Sequence, residues 1–113
     1  MDREEPRLGK VKAERRRFRR VKIVVEVQCA ALDRREIMMT RDIGVGGLFI
    51  KAKFPIPLES ELSLIFLLSP LEPAITCRGR VMYSRMGQGM GIQFLDLSEK
   101  ALQSINKFVN EVG

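Results

Sequence analysis

Six short segments with the residue pattern of β-strands constrain the fold of this 113-residue chain most strongly. In the first, Val21 to Cys29, apolar residues at every second position alternate with polar ones such as Lys22, Glu26 and Gln28. A period of two is typical of a half-buried strand. Five more strand-like segments follow, at 36–43, 48–54, 62–68, 75–85 and 90–95. Glycine- and proline-containing turns separate them, including a hairpin loop at 86–89.

The period changes after the last of these segments. From residue 97 to 112, apolar residues recur at steps of three and four, which predicts an amphipathic helix. Asp96 is predicted to cap this helix, with Glu99 at the third helical position as in a capping box. The sequence therefore predicts an all-β fold with a C-terminal helix: a six-stranded antiparallel β-barrel or strongly curled sheet, capped at one opening or edge by one α-helix of about 97–112.

The chain is long enough for one hydrophobic core and too short for two. Residues 1–14 mix both charges with Pro6 and Gly9 and show no period, so they are predicted to form a flexible basic tail. Residues 15–113 are predicted to form a single domain.

Positive charge is concentrated near the N-terminus. Residues 1–22 hold ten Lys and Arg against four acidic residues, whereas residues 23–113 hold ten of each. Five arginines fall within RRRFRR at 15–20, immediately before the first strand segment. Such a run is also common on a solvated face, but its position indicates a contact with phosphate on a nucleotide, a nucleic acid or a membrane surface.

The absence of histidine argues against an enzyme, and no nucleophile-and-base pair or metal-ligand cluster compensates for it. We therefore expect no catalytic residue, metal or cofactor. Cys29 and Cys77 have no metal or redox spacing and are predicted to be small buried hydrophobic residues. The longest apolar run, 64–68, is too short to span a membrane, and no signal-peptide pattern is present. A cytoplasmic location is the expectation.

A second polar feature, TRDIGVGG at 40–47, lies between the second and third strand segments. Together with the arginine run it resembles the PilZ domain family of bacterial receptors for cyclic di-GMP. That family has an RxxxR box leading into its first strand, then [DN]xSxxG, a six-stranded barrel and a C-terminal helix. GRVMYSR…GMGIQFLDLS at 79–98 also follows the family's course, so the resemblance covers residues 15–113.

The resemblance implies which arginines bind the ligand. Arg15 with Arg19, or Arg16 with Arg20, would satisfy RxxxR. The second register is favoured, because the family's second arginine directly precedes the first apolar residue of the strand, here Val21. Arg15 then matches a preceding arginine that in the family often accompanies binding of a stacked ligand dimer.

The residue types suit guanine. An arginine fork matches the O6 and N7 acceptors of guanine or takes a phosphate, whereas a carboxylate such as that of Asp42 accepts from N1–H and N2–H₂. Gly44 and Gly47 would let backbone N–H groups approach the ligand. Gly44 stands where the family motif has serine, and the lost hydroxyl bond would weaken affinity by a factor of about 2 to 13.

Tyr83 falls where the family often has an aromatic residue near the ligand, so it could stack on guanine. Strand alternation groups it with Cys77 and Val81, however, which would place it in the core instead. Further arginines, Arg41, Arg78 and Arg85, are candidates for additional phosphate contacts.

Three functions remain open at the level of sequence. The first is a cyclic di-GMP receptor that orders its N-terminal segment on binding, possesses no membrane span, and passes the signal to a downstream protein partner. The second is a PilZ-fold protein–protein interaction adaptor with weak or no nucleotide binding. The third, a barrel that binds single-stranded nucleic acid through its basic arm, is disfavoured because the chain has no Trp and one Tyr for base stacking. We therefore expect no nucleic acid polymer as partner.

Overall fold

A computed structural model of the chain describes residues 19–31 and 33–112. The proposed 1–14 tail, Arg15 and Arg16 lie outside the described residues. These described residues form seven strands and one helix: β1 Arg20–Lys22, β2 Glu26–Ala31, β3 Arg34–Gly44, β4 Gly47–Lys51, β5 Glu61–Phe66, β6 Ile75–Arg85, β7 Gly89–Phe94 and α1 Glu99–Val112.

Six of the strands close into a barrel. Antiparallel pairing runs in the order β3, β2, β5, β6, β7, β4, and β4 then pairs with β3. The remaining strand, β1, pairs with the far end of β3. The predicted six-stranded antiparallel barrel with a C-terminal helix is confirmed, and β1 is an addition to it.

The barrel interior is filled by the apolar half of each alternating strand. Val27, Leu64 and Val81 are fully buried, while their polar strand neighbours face outward. Cys29 and Cys77 are buried free thiols, as predicted. Burial raises the pKa of Cys29 to about 12 and that of Cys77 to about 11, with a smaller contribution from nearby carboxylates. Both cysteines therefore serve the core as small apolar residues.

The first predicted strand is interrupted between Lys22 and Glu26. The side chain of Thr40, which is 1% exposed, fills the interruption. Its hydroxyl donates to the carbonyl of Ile23 at 2.7 Å and accepts from the amide of Val25 at 2.9 Å. These two bonds satisfy backbone groups that the strand ladder leaves unpaired, and they hold β1 against β3.

Helix α1 begins at Glu99, two residues later than predicted, and packs against β1 and β3 with Ile105 and Val109 buried. The predicted cap, Asp96, was wrong: the side chain of Ser98 accepts the amide of Ala101 at 3.0 Å and caps the helix. Asp96 instead accepts the backbone amide of Arg78 at 2.6 Å. This contact ties Asp96 to β6, so the helix starts beyond it.

Candidate functional site

A bulge in β3 turns Asp42 toward the outer surface of the barrel. Thr40 pairs with Ile50 and Asp42 pairs with Phe49, which leaves Arg41 as an extra residue between them. Simple alternation from the inward-facing Thr40 would have placed Asp42 inside. One additional residue reverses the face of everything that follows it, so Asp42 joins the outer face.

A second bulge, in β6, does the same for Tyr83. Val81 pairs with Ile92 and Tyr83 pairs with Gly91, so Met82 is the extra residue. Tyr83 is 42% exposed and lies outside the core. The core alternative for Tyr83 was therefore wrong, because alternation counted from Cys77 and Val81 holds only as far as the bulge.

The two bulges place the motif residues in one row across five strands. In register, the row runs Lys22, Asp42, Phe49, Gly91 and Tyr83. The positions flanking it in β4 and β7, such as Ile50 and Ile92, are buried, so the row faces outward. A continuous surface thus joins the carboxylate to two aromatic rings. We call these five residues the outer row.

Asp42 is the charged centre of the outer row, and its side chain is only 7% exposed. Its Oδ1 accepts from Nε of Arg20 at 2.6 Å, and its Oδ2 accepts from Nε of Arg41 at 2.8 Å. A carboxylate this deeply buried needs such partners to remain charged. The arginine box and the DIGVGG motif therefore meet at one carboxylate.

Gly44 allows β1 to lie close against β3. It pairs with Arg20, and a Cβ atom added at Gly44 would lie 2.7 Å from the carbonyl oxygen of Arg19 and 2.9 Å from Cγ of Arg20. Both separations are shorter than ordinary contacts of a Cβ atom. The missing serine is thus linked to packing: in this arrangement of β1 there is no space for its side chain.

Gly47 also has a packing role. A Cβ atom there would overlap the carbonyl oxygen of Ile92 on the neighbouring strand β7, so only glycine fits. The carbonyl of the preceding Gly46 accepts the amide of Phe94 at 2.9 Å. The absence of a side chain at Gly47 brings β4 against β7, which accounts for this glycine without a ligand, and its predicted contact with a ligand stays a prediction.

Phe49 is the residue of this surface that sequence reasoning missed. Its ring centroid lies 6.0 Å from that of Tyr83, with the planes inclined by 41°. Gly91 lies between them in register and leaves the two rings without an intervening side chain. Gly91, two residues after the MGQG loop, and Phe49, directly after GGL, were visible in the sequence, but their alignment depends on pairing between distant strands.

A groove of about 850 Å³ extends from the outer row toward the β6–β7 turn. Its lining includes three cations and no carboxylate: Arg41, Lys51 and Lys53, together with Phe49, Ala52, Gly87 and Gln88. The hydroxyl of Tyr83 donates to the side-chain oxygen of Gln88 at 3.2 Å. The groove is therefore cationic and bordered by aromatic rings, properties that suit a phosphate-bearing aromatic ligand.

The other two candidate arginines lie differently. Arg78 is engaged by Glu61 at 3.1 Å and by Asp96 at 3.2 Å, so its charge is already paired away from the outer row. Arg85 pairs with Gly89, which in turn pairs with Lys51 of the groove. Of the proposed arginines that lie within the described residues, Arg20 and Arg41 are the ones that contact Asp42.

Two negative findings apply to residues 19–31 and 33–112. The single helix in that part of the chain is not long and apolar enough to cross a membrane. The same residues contain no group of three or more acidic or cysteine side chains arranged to hold a metal ion.

Comparison with known proteins identifies the family and the fold. The family model of the PilZ domain matches residues 14–111, nearly the entire chain. No curated protein matches the chain in sequence.

Two solved structures share the fold. The Bacillus subtilis inhibitor of motility (MotI/DgrA) has a TM-score of 0.72 at 14% identity; the match covers 83% of this chain and 49% of that one, so this chain spans about half its length. The PilZ domain of CeSA from a cellulose-synthesizing bacterium has a TM-score of 0.63 at 18% identity, with 82% and 96% covered. At such identities the likeness is one of fold.

Proposed function

Because the chain belongs to the PilZ domain family, we propose that it is a receptor module for the dianionic second messenger cyclic di-GMP. Domains of this family generally act as receptors for that nucleotide. The observation that carries the proposal is the meeting of Arg20 and Asp42 at 2.6 Å beside an exposed aromatic pair. A carboxylate, an arginine and a stacking surface are the three elements that recognition of a guanine nucleotide requires.

Asp42 supplies base selectivity in this proposal. Its carboxylate can accept N1–H and N2–H₂ of guanine, whereas adenine presents the opposite polarity at that edge. A good bidentate pair of this kind contributes about 1 to 3 kcal/mol of discrimination. Arg20, released from Asp42, binds either the O6 and N7 acceptors of a guanine or a phosphate.

The aromatic pair provides the stacking surface. Tyr83 is exposed enough for a base to reach its ring, and Phe49 extends that surface toward Asp42. Stacking of a base on an aromatic side chain is worth about 1 to 3 kcal/mol. Gly91 keeps the space between the rings open.

Arg15 and Arg16, which precede β1 in the sequence, are the remaining ligand contacts of the proposal. Cationic side chains this close in sequence repel one another until a dianion pairs them, so ligand binding would order that segment. Arg15 would then decide whether the site accepts a single ligand or a stacked dimer. Since β1 packs against α1, ordering at β1 has a route to the helix and to a downstream protein partner.

A second candidate function, a protein interaction adaptor with weak or no nucleotide binding, has one observation in its favour. Both oxygens of Asp42 are already paired within the chain, so the carboxylate is satisfied without a ligand. One of the proteins that share the fold is described as an inhibitor of motility. An adaptor would show no change on addition of nucleotide.

Calorimetric titration of the full chain separates these functions. Cyclic di-GMP is titrated into the wild type, into Asp42→Asn and into Asp33→Asn, which makes the same change at an exposed turn remote from the outer row. The receptor function predicts binding in the wild type and Asp33→Asn, with a loss of about ten- to a hundredfold in Asp42→Asn. No heat in the wild type at about 100 μM ligand, with unchanged thermal melting, would favour the adaptor.

Tyr83→Leu provides a second comparison. It removes the ring but preserves an apolar side chain at an exposed position, so the fold should be retained. The proposal predicts affinity weaker by about 5- to 150-fold, corresponding to one lost stacking contact. An unchanged affinity would exclude Tyr83 from the site.

A further inference from the structure

Arg41 contacts two residues of the outer row, Asp42 and Phe49, at the same time. Its Nε donates to Oδ2 of Asp42 at 2.8 Å, and its Cζ lies 4.0 Å from the centroid of the Phe49 ring. A planar guanidinium thus rests on the aromatic surface while donating to the carboxylate. Arg41 is the extra residue of the bulge in β3. The shift in strand pairing at the bulge brings its side chain to this position.

The guanidinium of Arg41 has the chemistry of the group that Asp42 would recognise. The edge of guanine that donates to a carboxylate is itself a cyclic guanidine, in which N1–H and N2–H₂ are attached to one carbon. A flat guanidinium presents the same adjacent donors and also stacks on aromatic faces. Arg41 therefore offers Asp42 an N–H donor and offers Phe49 a planar partner, two kinds of contact that a guanine could also make.

We propose that Arg41 is a built-in competitor, which occupies the guanine position in the free protein and must leave it for nucleotide to bind. This inference rests on the proposed function. Exchange is feasible because the side chain of Arg41 is 51% exposed and can turn into solvent without opening the core. Asp42 needs a donor throughout, and guanine replaces Arg41 as that donor.

Arg41 therefore sets the affinity of the site. The ion pair and the cation–π contact of the half-exposed Arg41 side chain are each worth only a modest free energy, so their removal should tighten binding by about three- to thirtyfold. This effect is opposite in sign to that expected of an ordinary cation near a dianionic ligand. The sign of the change separates a competitor from a simple phosphate contact.

The test compares Arg41→Ala with Lys51→Ala in calorimetric titrations with cyclic di-GMP. Lys51 lines the same groove and loses the same charge, but the described contacts of Asp42 are with Arg20 and Arg41. The proposal predicts tighter binding for Arg41→Ala and weaker binding for Lys51→Ala. Equal weakening of both variants would overturn it while leaving the receptor function intact.

Nuclear magnetic resonance of the free protein provides a second test, which measures the position of Arg41 without a ligand. The ring of Phe49 should shift the δ-proton signals of Arg41 upfield, and Phe49→Leu should remove that shift. Signals of Arg41 at the positions of a solvated arginine would overturn the proposal. On saturation with cyclic di-GMP, the upfield shift should disappear, and its persistence would also overturn the proposal.

The two arms distinguish the possible failures. If neither the wild type nor Arg41→Ala binds cyclic di-GMP and the upfield shift is present, the proposed receptor function is wrong. The proposal that nucleotide displaces Arg41 is then wrong as well. If the wild type does not bind cyclic di-GMP but Arg41→Ala does, both proposals are supported, because Arg41 then prevents the nucleotide from binding to the wild type.

Discussion

Nε of Arg20 lies 2.6 Å from Oδ1 of Asp42, joining the first residue of β1 to the outer face of β3. The donor side chain is 42% exposed, whereas the acceptor is 7% exposed. A nearly buried charge thus depends on a partner carried by a three-residue strand. The position of β1 and the pairing of Asp42 are therefore linked.

Replacement of Arg20 tests this link. Arg20→Ala deprives Asp42 of one of its two arginines, and we expect the free energy of unfolding to fall by about 1 kcal/mol, since Arg20 is partly exposed and Arg41 remains. Arg80→Ala is the control, because Arg80 belongs to an exposed pair with Glu61 at 2.9 Å. Urea unfolding of both variants should show a larger loss for Arg20→Ala, and equal losses would contradict the link.

The close approach at Gly44 predicts the effect of a methyl group there. In Gly44→Ala the new Cβ meets the backbone of Arg19, so β1 must move away from β3. We expect faster hydrogen exchange at the amides of Val21 and Ile23, with the barrel strands unchanged. Gly87→Ala is a useful contrast: the site is open but its φ is +82°, so any strain stays in the β6–β7 turn. Unchanged exchange in Gly44→Ala would show that β1 is not held by close contact.

Thr40→Val replaces a hydroxyl with a methyl group of nearly the same shape. It removes one donor and one acceptor that serve Ile23 and Val25, leaving both backbone groups without these partners. We expect a loss of about 1 to 3 kcal/mol in the free energy of unfolding. Thermal or urea unfolding measures it, and Thr76→Val on an exposed position of β6 should change stability by less than about 0.5 kcal/mol. A similar effect at both sites would argue against the role of Thr40.

Alternation and turn residues were sufficient to predict the helix and the strands that form the barrel. Each strand buries one face, so the polarity of a residue indicates whether its side chain lies on the buried or the exposed face. That Arg20 and Asp42 belong to one site was also predicted, through the resemblance of the two motifs to the PilZ pattern, but their direct pairing was not. The site nevertheless depends on the bulges at Arg41 and Met82, which no local pattern marks. A bulge is stabilised by pairing with a neighbouring strand, so it is a property of tertiary structure.

Phe49, Arg41 and Ser98 illustrate the same limit. The part Phe49 plays follows from its register with Asp42 on one side and Gly91 on the other, and both contacts span distant parts of the chain. Ser98 caps the helix instead of Asp96, because the carboxylate of Asp96 accepts a hydrogen bond from the amide of Arg78, 18 residues earlier in the chain. Local sequence gave the types of residue in each case, while long-range pairing decided their roles.

The contact of Asp96 with Arg78 predicts a pH dependence of stability. The hydrogen bond from the Arg78 amide, aided by the Arg78 side chain, lowers the pKa of Asp96 below its usual range despite some opposing desolvation. A lowered folded-state pKa stabilises the protein above the unfolded-state pKa of about 3.9, and this contribution is lost as the pH falls through the folded-state value. Urea unfolding should show Asp96→Asn less stable than the wild type at neutral pH, with the difference closing in acid. A difference independent of pH would contradict this assignment.

The central claim is that the outer row recognises guanine, and titration of the full chain with cyclic di-GMP and with cyclic di-AMP tests it most directly. The two ligands have the same charge and ring size, so a difference between them reports base recognition by Asp42. We predict binding of cyclic di-GMP that is at least about tenfold tighter than that of cyclic di-AMP, a preference lost in Asp42→Asn. Equal affinity for both ligands, or binding of neither ligand by the wild type and by Arg41→Ala, would contradict the account.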